Sequence, residues 1–317
     1  MENKDMISVL DRLAGSLEQC GDMQQVYLDS MQEKEYTGGA TGNQPSGQFR
    51  INEGKLPPFL QLMGIRSLTV HDTGELSNLL AQATAAALQV GGPPRQYFRD
   101  RALVSHLRAL FGHTTTIAFA DWAVFTGASD SWDDLLTQVI KPLNRKDLEF
   151  VFYLGNIAAT PVFLVDEMLD IMGDYSRYGA TTFILEQEEM MKLWQGINGI
   201  HRTKSDSWPF DYEEKYRSLF NALKVHRLLV YANNGVSLYA KDQQFNLSRR
   251  VLPANIEKGS HARNDYINGY SMGLSLHFDI ALCIALGIVF YAAKGEYKAT
   301  PDRQVLLNYI NTWKSQN

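Results

Sequence analysis

The chain has 317 residues, 45% apolar and 21% charged, with a net charge of −5. That balance excludes a disordered chain and leaves material for one large core or two small ones. It also argues against a protein that coats phosphate backbones: Lys and Arg are scattered, the densest groups being Arg95, Arg99 and Arg101, then Arg249 and Arg250.

From the N-terminus, MENKDMISVLDRL lacks the basic start and continuous apolar run of a signal peptide. Residues 5–34 instead read as an amphipathic helix. Leu10, Leu13, Leu17 and Cys20 recur three and four apart, and Tyr27 and Met31 continue the stripe past Gly21. A stripe of this kind packs either on its own body or on a neighbouring subunit. Thr37–Gly47 is a flexible connector rich in Gly, Ser and Pro. The expected organisation is an arm at 1–36, a linker at 37–50 and a body at 51–317.

The body reads as mainly α: a single large helical domain with long irregular loops. Helices are predicted at Glu75–Val90, Pro94–Phe111, Ser131–Val139, Pro161–Met172, Thr182–Gln195, Asp211–Ala232 and Ser271–Ala293, with a last one opened by Thr300-Pro301. Asp147–Leu154 is apolar and fits helix or strand, and Val236–Ala240 alternates as a short strand. The apolar run Ile280–Ala293 is shorter than the ~20 residues a membrane span needs, so it reads as a buried helix. Turn-rich stretches at 37–58 and 241–270 are of a length that is functional, disordered or used in contacts with another chain.

No complete catalytic or metal-binding constellation can be assembled, and no cofactor is expected. Gly269-Tyr270-Ser271-Met272-Gly273 matches the nucleophile elbow of serine hydrolases, but polar residues precede it where a buried strand should lie. The last histidine, His277, follows it too closely to be the base. Asp72-Thr73-Gly74 resembles an aspartic-protease loop yet leads straight into a helix, where a cap explains it better. The histidines make no paired metal spacing; His106 and His113 share a helix side without a third ligand. Asp166, Glu167 and Asp170, and Glu186, Glu188 and Glu189, read as solvated acidic faces. Cys20 and Cys283 form no CxxC spacing, which fits a reducing, cytoplasmic setting.

Aromatic residues, many of them in loop-like segments, among them Tyr97, Trp122, Phe125, Tyr175, Tyr178, Trp208, Phe210, Tyr266 and Tyr270, suit subunit interfaces or a core. A tethered acidic arm, aromatic loops and no active site together suggest a self-assembling structural protein, not an enzyme. In organisation the chain resembles the helix-rich capsid proteins of small double-stranded RNA viruses, the partitivirus-like group. The resemblance lies in the arm at Met6–Met31, the connector and the helical body. It implies a shell of homodimers in the host cytoplasm or virion, enclosing RNA and a polymerase, with Leu10, Leu13, Leu17, Tyr27 and Met31 at the interface. Neither a membrane nor sequence-specific nucleic-acid binding is expected. The alternatives are a monomeric helical effector or adaptor, and a serine hydrolase using Ser271.

Overall fold

The computed structural model describes residues 2–20, 25–28, 56–70, 75–119, 122, 127–155, 160–199, 212–232, 235–248, 260–297 and 300–315. Its strands are β1 (Glu2–Lys4), β2 (Gln25–Leu28), β3 (Ile65–Val70), β4 (Thr114–Phe119), β5 (Leu148–Phe152), β6 (Gly179–Glu186), β7 (Arg227–Ala232), β8 (Gly235–Ala240) and β9 (Gln244–Ser248). They form one nine-stranded sheet in the order β1-β9-β8-β7-β6-β5-β4-β3-β2. β4, β5, β6 and β7 run parallel, β3 and β8 flank them antiparallel, and β1 joins β9 in parallel.

The helices are α1 (Met6–Gln19), α2 (Pro58–Leu62), α3 (Leu76–Val90), α4 (Pro94–Tyr97), α5 (Arg101–Gly112), α6 (Ala128–Leu135), α7 (Lys141–Leu143), α8 (Val162–Tyr175), α9 (Gln187–Ile197), α10 (Tyr212–Ala222), α11 (Ser260–Ser275), α12 (Ile280–Tyr297) and α13 (Arg303–Ser315). A π-helical turn, Leu136–Ile140, joins α6 to α7. Pro142 has no N–H to give the Gln138 carbonyl, and Arg108 Nε donates to that carbonyl at 2.8 Å.

The parallel strands are covered on both faces. Phe150, Phe152, Phe183, Leu185, Leu228 and Val230 point into a core shared with α2–α6 and α8–α10. Val151, Ile184 and Leu229 point into a second core shared with α1, α11, α12 and α13. The expected mainly helical body is therefore corrected to a three-layer α/β/α arrangement. Strands buried on both sides carry near-continuous apolar runs, and such runs cannot be told from buried helix by periodicity.

The single helix expected over Thr182–Gln195 is the end of β6 followed by α9. That over Asp211–Ala232 is α10 and β7, and that over Ser271–Ala293 is a hairpin of α11 and α12. The hairpin turns at His277, whose φ is +56°, and Asp279 Oδ1 then accepts from Leu282 N at 3.1 Å to start α12. Asp147–Leu154 resolves as β5, Val236–Ala240 as β8, and the stretch at 241–270 contains β9 and much of α11. Gly173 lies inside α8, and Asp302, in place of Thr300, caps α13 through Val305 N at 2.8 Å.

α1 begins with Asp5 accepting from Ser8 N and packs on α12 and α13 of its own chain. Leu10, Leu13 and Leu17 are fully buried there. Arg12 pairs with Asp279, Lys314 pairs with Asp11, and Arg303 donates to the Cys20 and Glu18 carbonyls at the far end. Tyr27 stands in β2 opposite Leu68, while Met31 and the connector lie outside the described residues.

Of the aromatic residues singled out in the sequence, most of those described fill the core, Tyr178 is half-buried, and Phe125, Trp208 and Phe210 lie outside the described residues. Tyr97, Trp122, Tyr175, Tyr266 and Tyr270 are all buried. Phe119 stacks on Phe152 at 5.0 Å, Trp132 and Tyr175 close the cluster, and Tyr175 Oη donates to the Trp132 carbonyl at 2.8 Å. α12 has the length and hydropathy of a membrane-crossing helix, yet 72% of it is buried inside the fold. Here it forms the centre of the second helical layer.

Candidate functional site at the carboxyl edge of the sheet

β4, β5, β6, β7 and β9 all end at one edge of the sheet, since β9 runs antiparallel to β8 and so parallel to β7. In open α/β sheets that edge is where ligands bind, because the chain leaves the strands there in loops free to carry polar groups.

β5 continues into Tyr153, whose amide donates to the Phe119 carbonyl at 2.9 Å and whose hydroxyl donates to Glu189 Oε1 at 2.7 Å. Glu189 is buried, contrary to the solvated face expected for it. Its second oxygen accepts from Glu186 N at 3.0 Å, while the Glu186 side chain accepts from the Glu189 amide. This reciprocal cap fixes the start of α9 at the end of β6. Burial, with Glu188 nearby, pushes the Glu186 carboxyl above its ordinary range. Asp166, Glu167 and Asp170 are exposed, as a solvated face should be.

α11 crosses the other face antiparallel to these strands. Ser275 Oγ lies 3.1 Å from Thr116 Oγ1 at the start of β4, Tyr270 Oη lies 3.1 Å from Thr182 Oγ1 in β6, and the Tyr266 ring meets Tyr231 near the end of β7. The first turns of α11 therefore reach the carboxyl edge. There Asp265 pairs with Lys294 of α12 at 3.0 Å, their side chains only 14% and 25% exposed.

Deeper in the same layer, Arg227 donates to both Glu149 oxygens at 2.8 and 3.1 Å. Burial alone lowers the Arg227 pKa, but Tyr270 and Glu149 outweigh it and hold the guanidinium above its usual range. This fork ties β5 to β7 across β6 and lies toward the strand starts, away from the edge.

The GxSxG motif forms no elbow. Ser271 lies in the body of α11, is fully buried, and its Oγ has no hydrogen-bond partner among the described residues. The glycines serve close packing instead. A Cβ on Gly269 would stand 2.6 Å from Phe290 Cβ and 2.7 Å from the Leu286 carbonyl, and one on Gly273 would stand 2.8 Å from Cys283 Cα. The alternative of a serine hydrolase using Ser271 is set aside accordingly.

His71 and Asp72-Thr73-Gly74 lie outside the described residues. His106 and His113 share α5 and its end, and no group of three metal-ligating side chains forms among the described residues. Burial pushes the Cys283 thiol far up, as befits a core cysteine. Asp265 escaped the sequence reading because it stood in a polar run whose only apparent meaning was that no strand preceded Ser271. A largely buried carboxylate near the start of a helix was the missed signal.

No protein-family model matches the chain, and no characterised protein matches it in sequence. Among solved structures it is similar to Arabidopsis thaliana ribokinase complexed with ribose and ATP, at 13% identity and a TM-score of 0.45, covering 67% of this chain and 59% of that one. A putative ribokinase II from E. coli gives 15% and 0.46, covering 66% and 63%. Trypanosoma brucei brucei adenosine kinase gives 12% and 0.45, covering 64% and 56%. The chain thus spans about three fifths of each of these proteins. With the helical body gone, the capsid resemblance loses its basis, and the shell, adaptor and non-enzyme expectations are withdrawn with it.

Proposed function

We propose that this chain binds a small hydroxylated molecule at the carboxyl edge and transfers a phosphoryl group to one of its hydroxyls. The observation that carries the reading is Asp265, a carboxylate largely withdrawn from solvent in the second turn of α11 and paired with Lys294. In the proposed reaction Asp265 accepts the hydroxyl proton as that oxygen attacks the γ-phosphorus of a nucleoside triphosphate, the bond from that phosphorus to the β,γ-bridging oxygen breaks, and the nucleoside diphosphate leaves. The first amides of a sixteen-residue helix have no intrahelical acceptors, and their positive end favours an anion at the same edge. Lys294 holds the carboxylate in place. A cytoplasmic location, where nucleoside triphosphates are plentiful, accompanies this reading.

The test is transfer of label from γ-labelled ATP to a panel of sugars and nucleosides. Transfer to at least one acceptor is expected. Asp265→Asn should lower kcat by about 100-fold or more in a protein that remains folded, with a lower melting temperature because Lys294 loses its counter-charge. No transfer to any acceptor, or full activity in D265N, would sink the proposal.

A further inference from the structure

The face that α11 turns toward β3 and β4 is polar where a core should be apolar. The register pairs Ser67 with Ala118 and Thr69 with Thr116. Paired residues project to the same side, and Ala118 belongs to the core that contains α11. Ser67 and Thr69 therefore point toward that helix. Ser275 of α11 lies over the second of these pairs, with its Oγ 3.1 Å from Thr116 Oγ1 and 3.3 Å from Thr115 Oγ1. Since α11 runs antiparallel to β4, Ser271, one turn earlier on the same helix face, lies toward the first pair.

Ser67, Thr69, Thr116, Ser271 and Ser275 are each at most 1% exposed. The Oγ of Ser67, the Oγ1 of Thr69 and the Oγ of Ser271 have no hydrogen-bond partner among the described residues. Three orphaned hydroxyls in one seam are costly if dry, because each has given up its bonds to bulk water. β3 is irregular in just this stretch, its register shifting between Ile65 and Ser67 and again between Thr69 and Val70. Such bulges disturb the ladder and splay the strand locally.

We propose that this seam is a built hydration site: one or more ordered waters lie between β3 and α11, bridging Ser67, Thr69 and Ser271. A water needs two to four polar partners, and the three hydroxyls supply that number. The opposite flank of α11 leaves no such room, since Gly269 and Gly273 bring it directly against α12. The helix is thus held by van der Waals contact on one side and through water on the other.

The two states of the seam predict opposite signs. If water bridges the hydroxyls, Thr69→Val and Ser271→Ala each remove one partner, and each lowers the melting temperature by about 2–4 °C. If the seam is dry, replacing an unsatisfied hydroxyl by a methyl or hydrogen leaves the melting temperature unchanged or raises it, and the proposal is overturned. A crystal structure of the unaltered protein gives an independent answer. Density within hydrogen-bond distance of Ser271 Oγ and Thr69 Oγ1 supports the site; an empty gap there overturns it.

Discussion

His226 shows how one side chain records its surroundings. Its Nδ1 accepts from Thr181 N at 3.2 Å, which only the neutral ring can do through that nitrogen. Burial, and then the neighbouring Arg227, lower its pKa below 6.5, against a smaller opposing pull from Glu149. The folded state therefore binds a proton less readily than the unfolded chain. The contribution is fully present above pH 6.5 and is lost as the pH falls below it toward the folded pKa. An NMR titration should give a His226 pKa below 6.5, and His226→Gln should flatten the fall in urea midpoint between about pH 7 and 5. A pKa above the free-imidazole value would refute this account.

Among the elements, the α11–α12 hairpin depends most on particular residues being small. Gly269 and Gly273 face Phe290, Leu286 and Cys283, and Gly287 faces Tyr266, all too closely for a side chain. Gly269→Val should destabilise the protein by roughly 1–3 kcal/mol in urea unfolding, because the two helices must separate to admit it. An unchanged midpoint would contradict the close approach. The same glycines show what was legible beforehand and what was not. Their spacing was visible, but one sequence cannot distinguish glycines that permit a strained turn from glycines that let two helices touch. The helices α3 and α13 were readable from amphipathic spacing, and β8 from its alternation. β3 and β4 passed unseen, since Ile65–Val70 and Thr114–Phe119 are buried along their whole length and show no two-residue period. β6 and β7 were absorbed into adjoining helical patterns for the same reason. Asp265 was legible as a residue but not as a site, because its meaning comes from a sheet edge formed by strands far away in sequence.

At the scale of the molecule, the first 28 residues supply both edges of the sheet, β2 beside β3 and β1 beside β9. Between them α1 covers apolar surface on α12 and α13. Removing residues 1–20 should leave the β9 edge unpaired and expose that surface, so the shortened chain should lower the urea midpoint and form aggregates in light scattering. A monodisperse product with the parental midpoint would show that this segment is dispensable to the body.

The pairing of Glu2 with Phe245, and of α1 with helices near the other end of the chain, also sets an order of events at the ribosome. The apolar stripe at Leu10, Leu13 and Leu17 is made long before its docking surface on α12 and α13. At typical elongation rates of about 5–20 residues per second, that stripe waits for some 15–60 s without a mate. A nascent chain of this design offers chaperones a hydrophobic handle until α12 and α13 have emerged and α1 can dock on them.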